Sequence, residues 1–278
     1  MLDSYDRAGR EELRRYGASE AGALYARMLG DLEPEATVDV AYPADAEGGM
    51  LPAGAGLASY DGLLWTGSSL SVRDAGDPRV RRQLELVRAA LAAGRPSFGS
   101  CFAVQLVAAA LGGSVRANPK GREFGLARKI ELSAAGRAHP LFAGKPPVFD
   151  AYTRHGDEVD ALPPGAEVLA SNAFTRVQAL AVGSGAASFW AVQYHPEYDL
   201  HEIARLARAR APGLVSQGTF RDEADAAAWA AQVEALAGDP SRADLAWRLA
   251  VDRDVLDPAL RRAEARNWIE RLVKPNAR

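Results

Sequence analysis

Residues 96–113 constrain the fold of this chain more than any other stretch. Pro96-Ser97-Phe98-Gly99 reads as a short strand, Ser100-Cys101 as a turn, and Phe102 to Leu111 as a helix closed by Gly112-Gly113. A strand that turns through a nucleophile into a helix is the geometry of a nucleophile elbow. The residues before it alternate in the same way. Ser19 opens a helical pattern with Ala23, Leu24, Met28 and Leu29 on one face, and Gly30 reads as its stop. Val38-Asp39-Val40-Ala41-Tyr42 alternates as a strand, and Pro43 to Gly56 is a loop rich in Gly, Pro and Ala. Gly62 to Thr66 is an apolar run emptying into the turn Gly67-Ser68-Ser69. Asp77-Pro78 starts a helix that carries Val80, Leu84, Val87 and Leu91 inward and ends at Gly94. This alternation predicts a parallel sheet covered on both faces. Further strands are expected at Gly125–Leu132, Val148–Tyr152, Glu167–Ser171, Val177–Val182 and Phe189–Gln193, a strand-rich part that suggests added antiparallel strands.

Cys101 is the single cysteine, so no internal disulfide can form, and four histidines cannot complete a Cys/His zinc spacing. No metal or cofactor is expected. The thiol is either a small buried hydrophobe or a nucleophile. Its surroundings point to the second reading. A helix N-terminus favours the thiolate, and the N–H of Phe102 would point at an oxyanion formed on a carbonyl under attack. Gly99, Ser100 and Ala103 are as small as a strained elbow needs. A thiol nucleophile wants an imidazole, and the imidazole wants an orienting carboxylate. Tyr194-His195-Pro196-Glu197 offers both, with Pro196 stiffening the turn. His139-Pro140 reads as a plain turn.

Together these segments resemble a known pattern. Gly99-Ser100-Cys101-Phe102-Ala103-Val104-Gln105 is similar to the Gly-x-Cys-x-Gly-x-Gln elbow of class I glutamine amidotransferases. Val192-Gln193-Tyr194-His195-Pro196-Glu197 is similar to that family's Gly-Val-Gln-Phe-His-Pro-Glu. Arg122-Glu123-Phe124-Gly125 and the stretch His155 to Gly165 resemble parts of the amidotransferase domain of GMP synthetase. The resemblance covers about residues 1–200 and implies a flavodoxin-like α/β fold: a mostly parallel sheet with helices on both faces. Residues 201–278, rich in Ala, Arg and Leu, lie outside it and read as a C-terminal helical extension. It implies Cys101 as nucleophile forming a γ-glutamyl thioester, His195 as proton shuttle and Glu197 as its orienter. Gly67, in its turn with Ser68, would supply an oxyanion N–H opposite that of Phe102. Gln105 would help hold the glutamyl moiety, or else serve as capping or packing. Two departures stand out. Ala103 replaces the second elbow glycine, and Arg154 stands where GMP synthetase has serine in Ser-His-Gly-Asp. Such an arginine would recognise an extra carboxylate, or is a solvated loop residue. His155 reads as structural, because Cys101 already has a partner in His195.

The chain of 278 residues carries a net charge of −3, with no basic run interleaved with aromatics and so no footprint for nucleic acid. No membrane span or signal peptide is visible, so a cytoplasmic protein is expected. Neither a Gly-x-x-x-x-Gly-Lys-Ser/Thr loop nor a Ser-Gly-Gly-x-Asp-Ser loop is present, so activation of an acceptor with ATP is not expected of this chain. The first reading is an amidase of the glutamine amidotransferase type acting on glutamine or a γ-glutamyl compound. A γ-glutamyl peptidase or amide hydrolase, with water as sole acceptor, uses the same residues. A binding module without activity would need a broken triad. Only Met1-Leu2 precede the loop Asp3-Ser4-Tyr5-Asp6, which predicts a truncated first strand or an upstream start. In the tail, helix starts are expected at Asp222, Ser241 and Asp257-Pro258. Their apolar faces are Trp229, Val233 and Leu236, then Leu245, Leu249 and Val251, then Leu260, Trp268, Ile269 and Leu272. Trp247 and Trp268 are costly to expose. These faces should cover the main domain as a buttress, a homodimer contact, or a dock for a synthetase partner.

Overall fold

The computed structural model describes residues 1–45, 51 and 55–277; the loop expected over 43–56 therefore lies partly outside the described residues. Nine strands form among them: β1 (Leu63–Trp65), β2 (Ser97–Ser100), β3 (Ser114–Ala117), β4 (Glu123–Leu132), β5 (Val148–His155), β6 (Asp157–Ala161), β7 (Glu167–Ser171), β8 (Ala179–Ser184) and β9 (Ala187–Val192). Seven of them build one sheet in the order β1-β2-β9-β8-β7-β4-β5. The pairs β1–β2 and β2–β9 are parallel, and every pair from β9 outward to β5 is antiparallel. The sheet is thus mixed, with the antiparallel addition making up more than half of its width. β3 and β6 form a separate antiparallel pair. Their four or five residues are too few for an alternation to stand out in the sequence.

Period-two alternation sorts the side chains. Leu64, Phe98, Trp190 and Val192 face one layer, where Tyr25, Met28, Trp268, Ile269 and Leu272 cover them. Leu63, Trp65, Phe189 and Ala191 face the other, beneath Leu86, Val87, Phe102 and Leu106. The covering helices are α1 (Arg7–Arg15), α2 (Ala21–Leu32), α3 (Pro78–Ala92) and α4 (Phe102–Ala110), followed by those of the tail.

Several local expectations need correction. Helix α2 starts at Ala21 behind Glu20, not at Ser19, and runs through Gly30 to Leu32. Packing of Leu24, Tyr25 and Met28 outweighs the roughly 1 kcal/mol that one helical glycine costs. Helix α1 was not anticipated; Asp6 caps it by accepting from the Gly9 N–H at 2.8 Å. Val38–Tyr42 is not a strand. Only Ala41 pairs there, in a bridge to Leu2, which also bridges Trp65. The first strand is thus reduced to a bridging residue between Ala41 and β1.

The tail does not stand apart. Trp268, Ile269 and Leu272 enter the core beside Phe98, while Val233, Leu236, Leu245, Leu249 and Val251 pack with Tyr152 and Tyr198. Asp222 and Asp257 cap helices as expected. Ser241 does not: its hydroxyl is bonded to Asp239, and the helix begins at Ala243. Trp247 is 85% exposed, against the expectation that it would be covered.

Candidate active site

Three parallel strands end at one place. Trp65 is in register with Gly99, and Gly99 with Ala191, so the turns after β1, β2 and β9 converge. Gly67 lies two residues past β1, Cys101 one past β2 and His195 three past β9. Two backbone bonds hold the last two turns: Cys101 N–H donates to Val192 O at 2.8 Å and His195 N–H to Tyr152 O at 2.7 Å. The carboxyl ends of parallel strands are where ligands meet an open α/β sheet.

Cys101 adopts φ 53°, ψ −102°. For a residue with a side chain this conformation costs on the order of 1–3 kcal/mol and persists only where the surroundings impose it. The imposition is visible at Gly99. A Cβ there would lie 2.5 Å from the Cβ of Ala103 and 2.7 Å from the carbonyl of Trp65. The departure Ala103 fits because Gly99 leaves it room. Cys101 then stands at the N-terminus of α4, whose first N–H groups have no partner within the helix. Its sulfur lies 3.5 Å from the carbonyl oxygen of Arg154.

His195 is almost fully buried, and its Nδ1–H donates to Glu197 Oε1 at 2.6 Å. Ser100 donates to the same carboxylate oxygen at 3.2 Å and receives the Tyr25 hydroxyl at 2.6 Å. The Tyr198 ring stacks on the imidazole. His195 Nε2 is buried with no protein hydrogen bond of regular geometry and faces the Cys101 sulfur. Burial pushes the imidazole pKa down from 6.5. The neighbouring Glu197, then Cys101, overcome this and raise it to about 10, which favours the charged imidazole.

A cavity of about 240 Å³ opens over the sulfur, lined among others by Ser68, Cys101, Gln105, Arg122 and Arg154. Gly67 is wedged between the imidazole and the thiol-bearing side chain: a Cβ there would lie 3.2 Å from His195 Cε1 and 3.6 Å from Cys101 Cβ. Ser68 lines the cavity, but its hydroxyl donates to Ser4 O at 2.8 Å. The Gln105 amide donates to Asp157 O at 3.0 Å and to Gln193 Oε1 at 3.2 Å, so its NH₂ group is engaged by the protein. Arg154 is no solvated loop residue; it is half-buried near the end of β5, beside the phenols of Tyr5 and Tyr198. His155 is tied at both nitrogens, to Asp157 O at 2.9 Å and Glu123 Oε2 at 2.8 Å, and holds β4 to β5 and β6 as a structural residue. A larger cavity of about 560 Å³, lined by Met1, Asp39, Trp268 and Lys274 among others, brings no nucleophile and base together. Among the described residues no group of three His, Cys, Asp or Glu side chains is gathered around a metal-sized site, and no helix is long and apolar enough to cross a membrane.

The sequence shows Ser100 as a small elbow residue but not its bond to Glu197. Tyr198 follows the Tyr194–Glu197 motif directly, whereas Tyr25 comes from a distant helix and carries no local signal.

Residues 50–206 match the family model for glutamine amidotransferase class-I. The whole chain aligns with gamma-glutamyl-L-1-hydroxyisopropylamide hydrolase of a Pseudomonas species, 32% identical over 284 residues and covering 94% of that protein. Half of the chain aligns with GMP synthase of Thermomicrobium roseum at 39% identity, spanning 24% of that protein's length. Among solved structures, a glutamine amidotransferase from Methylobacillus flagellatus superposes with TM-score 0.64 at 21% identity, covering 89% of each chain. One from Thermotoga maritima superposes with TM-score 0.60 at 19% identity, covering 89% of this chain and 92% of that one. These last two speak for the fold, a flavodoxin-like α/β arrangement with a mixed sheet. The extent of the family match and the full-length relative show that this chain belongs to the class I glutamine amidotransferase family.

Proposed function

We propose that the protein hydrolyses the γ-amide bond of a γ-glutamyl compound through Cys101, His195 and Glu197, with water as the final acceptor. The observation that carries this reading is the arrangement of the three side chains: a strained Cys101 at a helix N-terminus, facing an imidazole held by a carboxylate. The Cys101 thiolate attacks the amide carbonyl carbon, and the oxyanion turns toward the N–H groups of Gly67 and Phe102. His195 gives the proton on Nε2 to the departing nitrogen, the C–N bond breaks, and ammonia or an amine leaves. The γ-glutamyl thioester remains. Water then attacks it, His195 takes the water proton, and glutamate departs with the thiolate restored. Glu197 orients the ring and stabilises its charged form; Gln105 and Ser68 shape the pocket for the glutamyl half.

The amide hydrolase reading is favoured over supply of ammonia to a synthetase because the Pseudomonas hydrolase aligns over the whole chain. The GMP synthase alignment reaches only a quarter of that enzyme. Residues 1–200 are proposed as the amidotransferase domain, with 201–278 completing its core. The test compares turnover of glutamine with that of γ-glutamyl alkylamides by the full chain. Faster release of alkylamines than of ammonia is expected. Glutamine turnover alone would restore the amidotransferase reading, and no turnover of any γ-amide would end both.

A further inference from the structure

The cavity over Cys101 holds more positive charge than the protein neutralises. Arg73, on its rim, pairs with Asp157 at 3.1 Å, and nearby Arg210 pairs with Glu12 at 2.9 Å. Arg122 and Arg154 have no carboxylate within ion-pairing distance among the described residues, although both line the cavity. Arg122 donates through Nε to the neutral amide of Gln217 at 2.8 Å. Arg154 has phenols beside it. The nearby acids are already engaged. Asp157 takes Arg73 and the Ser71 hydroxyl, and Glu123 takes His155, Asn172 and Gln178. The two guanidinium groups are close enough to disfavour one another: burial first, then the charge of Arg154, holds Arg122 below its ordinary pKa. Two half-buried like charges beside one cavity are costly unless an anion joins them, and the planar forks of arginine match a carboxylate.

We propose that Arg122 and Arg154 form a two-cation clamp that binds a carboxylate of the substrate and positions its amide over Cys101. This rests on the reading that the substrate is a γ-glutamyl amide. Such a compound offers the α-carboxylate of its glutamyl half. When the amine half is an amino acid, it offers a second carboxylate. Both sources present the same chemistry to the clamp, and the experiment separates them.

The experiment is a binding titration to the full chain carrying Cys101→Ser, which removes turnover and leaves the clamp. Three ligands are used: γ-glutamylethylamide, with one carboxylate; γ-glutamylglycine, with two; and the ethylamide of 4-aminobutanoic acid, with none. Adding Arg122→Gln or Arg154→Gln should raise Kd about tenfold or more for a ligand whose carboxylate the clamp holds. The carboxylate-free ligand should be unaffected. Loss with both acidic ligands assigns the α-carboxylate; loss confined to γ-glutamylglycine assigns the amine side. Arg154→Lys, which keeps the charge and loses the fork, should fall between, and an unchanged melting temperature guards against misfolding. The clamp is overturned if the variants bind both acids as the parent does, if the carboxylate-free ligand weakens equally, or if the parent binds none of the three. Turnover by the unsubstituted chain tests the underlying reading separately, since an inactive protein that still shows carboxylate-dependent binding keeps the clamp and loses the reaction.

Discussion

The imidazole of His195 lies flat on the ring of Tyr198, with centroids 4.0 Å apart and planes 4° from parallel. The hydrogen bond to Glu197 fixes one ring nitrogen, but rotation about that bond would still swing Nε2 away from the sulfur. The stacked phenol blocks that swing. Tyr198→Leu should therefore lower kcat several-fold with little change in KM, while Tyr198→Phe should retain most activity, because the ring and not the hydroxyl is what restrains the imidazole. Equal losses in the two variants would contradict this.

Cys101→Ala should abolish hydrolysis and leave the melting temperature the same or higher. The side chain removed is small, and the left-handed backbone at this position is strained in either residue. Iodoacetamide should label the unsubstituted chain once, because Cys101 is its only thiol. Mass spectrometry of the labelled protein, read against residual activity, checks both statements.

The pH profile carries the mark of Glu197. Its charge, after burial is overcome, helps raise His195 to about 10. Proton donation to the leaving nitrogen should hold up to that region and fall above it. Glu197→Gln removes part of the raising influence, so the alkaline limb of kcat/KM should move to lower pH. For stability the sign follows from linkage. The folded pKa exceeds the ordinary 6.5, so this contribution is complete below pH 6.5 and lost as pH rises through about 10. Urea midpoints at pH 6 and pH 9.5 should differ less in Glu197→Gln than in the parent.

Gly67→Ala introduces a methyl 3.2 Å from His195 Cε1 and 3.6 Å from Cys101 Cβ. The contact with Cys101 Cβ is ordinary, so it is the imidazole that must give way by a few tenths of an ångström, which moves it relative to the sulfur. A fall in kcat of about tenfold or more is expected with little loss of stability. Thermal melts and steady-state kinetics on the same preparation would show whether the cost falls on the reaction or on the fold.

Deletion of 222–278 should give insoluble or strongly destabilised protein. Trp268, Ile269 and Leu272 are buried in the main core, each contributing about 1.5–3 kcal/mol by burial. That approaches the whole stability of many domains, about 5–15 kcal/mol. The single change Trp268→Ala, costing about 3–5 kcal/mol, is the milder version. A soluble truncated chain with unchanged melting would refute the role given to these residues.

What could be read from the amino acids and what could not divide along one line. Cys101, His195 and Glu197 were legible because each sits in a local setting, an elbow or a strand-end turn, that means something within a few residues. Strand β7 was located to the residue, and β2, β4 and β9 to within two. The missed features depend on distance. The hydroxyl of Tyr25 reaches Ser100 across 75 positions, and β3 pairs with β6 across some forty. The Val38–Tyr42 alternation reads as a strand, yet within it only Ala41 makes a β-bridge, to Leu2. Arg154 could be named from its motif; its want of a carboxylate partner needed the folded chain.

Glu264 lies wholly buried beneath the sheet, pairing with Lys145 at 2.5 Å and accepting from the hydroxyl of Tyr194, the residue before His195 in the chain. During synthesis this has a consequence in time. The ribosome releases Cys101, His195 and Glu197 well before Glu264 and Trp268 appear, so a nascent chain carries the whole proposed triad while its floor is missing. Lys145 waits in the meantime without its buried counter-charge, and the layer over Phe98 is open to water. Such a chain should neither hydrolyse γ-amides nor react selectively with an alkylator. Ribosome-stalled chains ending at residue 250 and beyond 278 on a linker, probed with iodoacetamide, should differ in selective Cys101 labelling; equal labelling would show that the floor is dispensable for assembling the site.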